Sequence, residues 1–193
     1  MYAINQFQGD SITTDQLDDI IQGLHENQLD NYDYLLTGFI HSEETLLGIL
    51  NTLKLLKSVN TKIKYICDPV LGDNGNFYVP LSLVPIFIQK LLPMAYMITP
   101  NQFEAELLSG GNPIVTETDC IDCLKTLHSL GPIIVVITSV ELKSEPGKLY
   151  SYVLDASGAS ITISKIVFKK LHGKLSFSML SWMIISIDLY VCT

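Results

Sequence analysis

The chain has 193 residues, 48% of them hydrophobic, and a formal net charge of -8. That length suffices for one α/β domain with a buried core, and no break in composition marks a second, so residues 1–193 read as one domain. The negative balance excludes a general attraction to nucleic acid or anionic lipid, so any phosphate must be held locally by helix N-termini, hydroxyls and metal.

Residues 1–10 show no basic stretch followed by an apolar run, which argues against a signal peptide. Thr13 and Gln16 form a capping-box pattern, and Leu17, Ile20, Ile21 and Leu24 follow at helical spacing. Tyr34-Leu35-Leu36 reads as a short buried strand ending at Thr37-Gly38. A second helix is expected from Ser42, with Glu43 and Glu44 in its first turn and Lys54 and Lys57 in its last, as the helix dipole favours. Ile63 to Cys67 is the next strand, and a Gly/Asn-rich loop follows from Leu71 to Asn76. The pattern then predicts a helix over Leu81–Leu92, a strand over Met94–Ile98, and a helix opened by Thr99-Pro100 that stops at Gly110-Gly111. A helix over Thr116–Leu130, a strand over Ile133–Ile137, and a hairpin of Leu149–Leu154 with Ser160–Phe168 complete the reading.

Apolar strands alternating with amphipathic helices argue an α/β fold: three layers, a mostly parallel sheet with helices on both faces. In such folds ligands sit outside the carboxyl ends of the strands, which directs attention to three segments. The first is Asp68-Pro69-Val70-Leu71-Gly72-Asp73, with Asn74, Gly75, Asn76 and Tyr78 just beyond. Two carboxylates on a glycine-bearing loop can hold hydrated Mg²⁺ and nucleotide phosphates; they equally suit an Asp-Pro turn with solvated carboxylates. The second is Thr99-Pro100-Asn101-Gln102-Phe103-Glu104. Thr99 is expected to cap the helix, with Gln102 completing a capping box. Asn101 and Glu104, three apart, share its first turn, where a glutamate repels bare phosphate but suits a cation or its waters. The third is Thr138-Ser139, directly after an apolar strand, where hydroxyls can donate to phosphate oxygens or simply begin a turn.

The four cysteines are Cys67, Cys120, Cys123 and Cys192. Cys120 and Cys123 have a redox or zinc spacing, but no second pair or nearby histidine completes a site, and their helical context favours packing. A reducing cytoplasm suits such a chain. Leu175 to Thr193 is mostly apolar but carries four serines and Asp188, which favours a buried helix or an irregular tail over a membrane anchor.

Taken together, Asp68 to Asp73, the Tyr78-Val79-Pro80 that follows, Ile98 to Gly110, Leu127 to Pro132 and Val136 to Ser139 resemble the pyridoxal kinases, which are ribokinase-like. The resemblance is continuous over residues 2–154, weak over 160–182 and lost over 183–193. It implies transfer of the γ-phosphate of ATP to the 5′-hydroxyl of pyridoxal, pyridoxine or pyridoxamine, with Mg²⁺ or a similar divalent ion, help from a monovalent cation, and a cytoplasmic homodimer. It also implies that Asp68, Asn101 and Glu104 serve the metal and phosphate shell. Asp73, Tyr78, Thr99, Thr138 and Ser139 would line the nucleotide and cation region, with Asp73 and Thr99 counted among the metal's neighbours. Phe39 falls where the family often places an aromatic beside the pyridine ring, and a core phenylalanine is the alternative.

Two departures accompany the resemblance. The family's first strand, with its contacts to the vitamin, corresponds to sequence before Met1, so the ribokinase-like fold is expected to be incomplete. The family's Gly-Thr-Gly-Asp, which supplies an anion hole and the catalytic aspartate, has no counterpart: His172-Gly173-Lys174-Leu175 is the best match and puts Lys174 where the aspartate is expected. A solvated lysine is protonated near neutral pH and cannot accept the substrate's proton. Alongside the kinase reading therefore stands a second: a catalytically inactive fragment or pseudokinase that binds nucleotide or pairs with a full-length subunit.

Overall fold

The structure is a computed structural model in which residues 12–169 are described; Lys174, His172, Cys192 and the apolar C-terminal segment lie outside them. In chain order the elements are α1 (Thr14–Glu26), β1 (Tyr34–Thr37), α2 (Glu43–Val59), β2 (Lys64–Cys67), β3 (Gly72–Asp73), β4 (Asn76–Phe77) and α3 (Leu83–Ile86). They continue with β5 (Met97–Ile98), α4 (Gln102–Leu108), α5 (Glu117–Ser129), β6 (Ile134–Val140), β7 (Lys148–Asp155) and β8 (Thr162–Lys169).

Local chemistry explains most of the boundaries. Thr13 accepts the Gln16 N–H and Gln16 accepts the Thr13 N–H, which is the expected capping box of α1. Ser42 caps α2 by accepting the Thr45 N–H. Gly48 lets α1 approach α2, since a Cβ there would meet the Thr14 methyl at 2.8 Å. The β3–β4 hairpin turns through Asn74 (φ 50°) and Gly75 (φ 81°), two successive left-handed residues of the kind a two-residue hairpin requires.

The main sheet has six strands in the order β1-β2-β5-β6-β7-β8. β1, β2, β5 and β6 run parallel, and β7 and β8 are antiparallel. The period-two alternation of the strands divides the apolar residues between two faces. Tyr65, Cys67, Ile98, Val135 and Ile137 join Leu46, Leu50 and Leu53 of α2 and Leu124 and Leu127 of α5 in the larger core. Ile66, Met97, Ile134 and Val136 form a second cluster on the other face. Among the described residues, the helices that enter a core cluster all do so on the first face. The architecture is the α/β, mostly parallel arrangement that the alternation of strands and helices implies.

Three expectations are corrected. The helix over Leu81–Leu92 is α3 followed by a wide turn, Phe87–Leu91, and a tight one, Leu92–Met94. Pro93 can neither donate to the carbonyl four residues back nor pack against it, so the helix cannot run on regularly. The strand before Thr99 is accordingly only Met97–Ile98, because Met94 is still in the tight turn. β6, finally, runs through Thr138 and Ser139 to Val140 with a register shift, so the Thr-Ser pair forms a bulge within a strand and not the start of a turn.

Candidate functional site

Parallel strands bring their carboxyl ends to one edge, and this is where the polar segments meet. Asp68 directly follows β2, and its N–H extends the ladder to the Thr37 carbonyl at 2.9 Å. Thr99 directly follows β5, and its N–H donates to the Cys67 carbonyl at 3.1 Å. The two side chains therefore lie on adjacent strands, and the Thr99 hydroxyl donates to Asp68 Oδ1 at 3.2 Å. Asn101 and Thr138 form a parallel bridge, with the Thr138 N–H on the Pro100 carbonyl at 2.8 Å.

Thr99 is consequently still extended and does not cap α4. The cap is Asn101, whose side-chain oxygen accepts the Glu104 N–H at 3.0 Å, while Glu104 Oε2 accepts the Asn101 N–H at 2.9 Å. The capping box is thus Asn101-x-x-Glu104 in place of Thr99-x-x-Gln102: the ladder holds Thr99 in the sheet, and the helix starts later. The Asn-x-x-Glu spacing carried that signal in the sequence.

Glu104 also reaches out of its own helix. Its Oε1 accepts the N–H groups of Leu71 at 2.9 Å and Gly72 at 3.3 Å, and Asn101 Nδ2 donates to the Gly72 carbonyl at 2.8 Å. Two side chains of the α4 N-terminus thereby fasten the loop after Asp68. Gly72 is required for the approach, because a Cβ there would lie 2.3 Å from the Asn76 carbonyl oxygen and 2.8 Å from the Phe103 ring. Phe103 in turn meets Phe77 edge-on, with ring centroids 5.2 Å apart.

The electrostatics follow from burial. Glu104 is 3% exposed. Burial pushes its carboxyl up to about 8 against the opposing pull of the Asn101, Leu71 and Gly72 N–H groups, and the negative charge of Asp68 adds to the rise. Burial likewise raises Asp68 to about 6, with the Thr99 hydroxyl pulling the other way. Two carboxylates disfavoured as anions, side by side at a strand edge, suit a nearby positive charge.

The remaining candidates sit around this pair. Asp73 is exposed on the hairpin and accepts from the Asn74 side chain at 3.0 Å. Tyr78 is largely exposed, its backbone N–H tied to the Leu71 carbonyl; partial desolvation of its hydroxyl raises the pKa, and the charges of Asp73 and Glu104 add to the rise. Ser139 is exposed with φ 57°, the left-handed region that serine rarely adopts. Phe39, at the carboxyl end of β1, is 60% exposed and stacks on His41, so it is not a core residue here. Sequence reasoning assigned Gln102 only to a cap; in the structure it links α4 to Ile114 and Glu141.

The donor set at this edge, a carboxylate with a free oxygen among the described residues and a hydroxyl beside it, consists of hard oxygen ligands of the kind Mg²⁺ takes. Among the described residues no three His, Cys, Asp or Glu side chains gather as a closed metal cage. Cys120 and Cys123 are buried in the packed face of α5, and burial raises both thiols, to about 12 and about 11, which leaves them inert as nucleophiles. Among the described residues no helix is long and apolar enough to cross a membrane.

The phosphomethylpyrimidine kinase family profile matches residues 10–177. Human pyridoxal kinase is 38% identical over 170 residues, covering 86% of this chain and 54% of its own length. The pyridoxal kinase of Arabidopsis thaliana is 46% identical over 136 residues, covering 70% of this chain and 44% of its own length. The crystal structure of Plasmodium falciparum PdxK with AMP-PNP and PL superposes with a TM-score of 0.77 at 31% identity, covering 89% of this chain and 62% of that one. Pyridoxal kinase from Leishmania donovani in complex with ADP and pyridoxamine gives a TM-score of 0.82 at 25% identity, covering 91% of this chain and 63% of that one. The chain spans about half the length of the curated relatives it matches. With a family profile over most of its length and pyridoxal kinases as its curated relatives, the chain belongs to the phosphomethylpyrimidine kinase family.

Proposed function

We propose that this chain provides the nucleotide-holding edge of a pyridoxal-kinase-type phosphotransferase, which moves the γ-phosphate of ATP to the 5′-hydroxyl of a B6 vitamer. The observation that carries this reading is the meeting of Asp68, Thr99, Asn101 and Glu104 at the carboxyl edge of the parallel sheet. Asp68 and Thr99 would hold a divalent ion, and Glu104, its oxygens engaged by backbone N–H groups, keeps the loop in place beside it. Asp73 on the neighbouring hairpin would reach the ion's water shell. A divalent ion held there would supply positive charge to offset that of the phosphates in phosphoryl transfer. Asn101, Tyr78, Thr138 and Ser139 would face the nucleotide, the hydroxyls donating to phosphate oxygens. Phe39, exposed on the same edge, would lie against the pyridine ring. The buried, unpaired Cys67, Cys120 and Cys123 suit the cytoplasm, and a homodimer is the family's usual assembly.

Lys174, at the place of the catalytic aspartate, favours the second reading, in which nucleotide binds without turnover. One experiment separates the two. Purified chain is titrated with ATP in the presence and absence of Mg²⁺, and formation of pyridoxal 5′-phosphate from pyridoxal is followed. Mg²⁺-dependent ATP binding with product supports the kinase, and the same binding without product supports the pseudokinase. Failure to bind ATP, or binding unchanged in Asp68→Asn, sinks both.

A further inference from the structure

Ser139 lies between two fastenings. On one side the Thr138 N–H donates to the Pro100 carbonyl at 2.8 Å. On the other, two residues beyond Ser139, the Glu141 N–H donates to Gln102 Oε1 at 2.9 Å. Between them Ser139 has φ 57°, and the pairing of β6 with β7 shifts register between Ile137 and Val140. A serine in the left-handed region persists where its surroundings over-determine it, and such residues cluster where ligands are held.

The Gln102 amide is itself fixed. Its Nε2 donates to the Ile114 carbonyl at 2.9 Å and to Glu106 Oε1 at 3.1 Å, and Glu106 Oε1 also accepts the Ile114 N–H at 2.8 Å. With two acceptors facing Nε2, the amide has one orientation, and Oε1 is directed at Glu141. The segment that opens α4 thus grips the chain on both sides of the bulge, through the Pro100 carbonyl before it and the Gln102 side chain after it.

We propose that Gln102 is a positioning residue for the nucleotide site: through Glu141 it holds the Thr138–Ser139 bulge in the shape that presents its hydroxyls to phosphate, without touching the nucleotide. The inference rests on the nucleotide-site reading above. Its consequence is a coupling between Gln102 and the backbone conformation at Ser139.

The test uses the full chain as wild type, Gln102→Leu, Ser139→Gly and the double variant, with ATP affinity by calorimetry and amide exchange by mass spectrometry or NMR. Gln102→Leu is expected to speed exchange at Glu141 and to weaken ATP by about tenfold, the worth of one good hydrogen bond. Glycine adopts the left-handed region without a Cβ penalty, so in the Ser139→Gly background the same change should cost about threefold or less. A merely structural role, such as holding Ile114, would cost the same in both backgrounds. Equal losses, or unaltered exchange at Glu141, overturn the proposal. Should Gln102→Leu fail to fold, Gln102→Asn keeps the amide but is one methylene too short to reach Glu141, and the same pattern is expected of it. A wild-type chain that binds no ATP sinks the nucleotide-site reading and this proposal together, whereas ATP binding that the Gln102 variants leave intact overturns this proposal alone.

Discussion

In the parallel half of the sheet, β1, β2 and β5 are only four, four and two residues long, and side chains at their carboxyl ends bond across elements. The β7–β8 ribbon pairs over eight residues of each strand; on β8 Lys165 ties it to α5, with Nζ 2.8 Å from Glu117 Oε2, and lies 4.5 Å from the ring centroid of Tyr150 on β7. One region is secured by a few buried polar groups, and the other by a long backbone ladder with largely exposed side chains on β8. Few buried groups concentrate the cost of a substitution, whereas a ladder spreads it. The concentrated arrangement lies at the edge proposed to hold the nucleotide.

The largest expected effect is at Glu104. Glu104→Ala strands the buried N–H groups of Leu71 and Gly72 and the part-buried one of Asn101, and should destabilise the chain by about 4 kcal/mol in urea unfolding. A loss below about 1 kcal/mol would show that water replaces the carboxylate and that this edge is not specially concentrated.

The pH dependence is of intermediate size. Asp68 rises from 3.8 to about 6 and Glu104 from 4.5 to about 8 on folding, so both are more easily protonated in the folded chain. Their contribution to stability is fully present below the unfolded values and is lost as pH rises through the folded ones. The melting temperature should therefore fall between about pH 4 and pH 8, and Glu104→Gln should flatten the upper part of that slope. A variant with an unchanged slope would locate the titration elsewhere.

At the ribbon the effect should be smallest. Lys165→Ala removes a partly exposed ion pair and a contact with aromatic faces, and should cost about 1 kcal/mol or less. Should it cost as much as Glu104→Ala, the contrast between the two regions fails.

Much of the fold was legible because its signals are local. The α1 cap at Thr13, the α2 cap at Ser42 and the apolar runs of β2 and β6 depend on residues within one turn or one strand. The α3 segment was misjudged because Pro93 acts backwards on the preceding turn, against an otherwise helical apolar pattern. In the candidate site, the residues themselves were visible as motifs at strand ends. Their mutual bonding was not, since Glu104 and Leu71 are 33 positions apart and Gln102 and Glu141 are 39.

By itself the sequence determined the alternation of strands and helices, the capping residues, and which polar side chains stand at the strand ends, because propensity, period and capping act over a few residues. Only the tertiary structure decided that Thr99 remains in the sheet while Asn101 caps α4, that Glu104 turns its carboxylate to the Gly72 loop, and that Ser139 is held left-handed between Pro100 and Gln102. Those outcomes depend on neighbouring strands fixing the backbone first, and side chains then bond to whatever donors and acceptors the sheet has left at its edge.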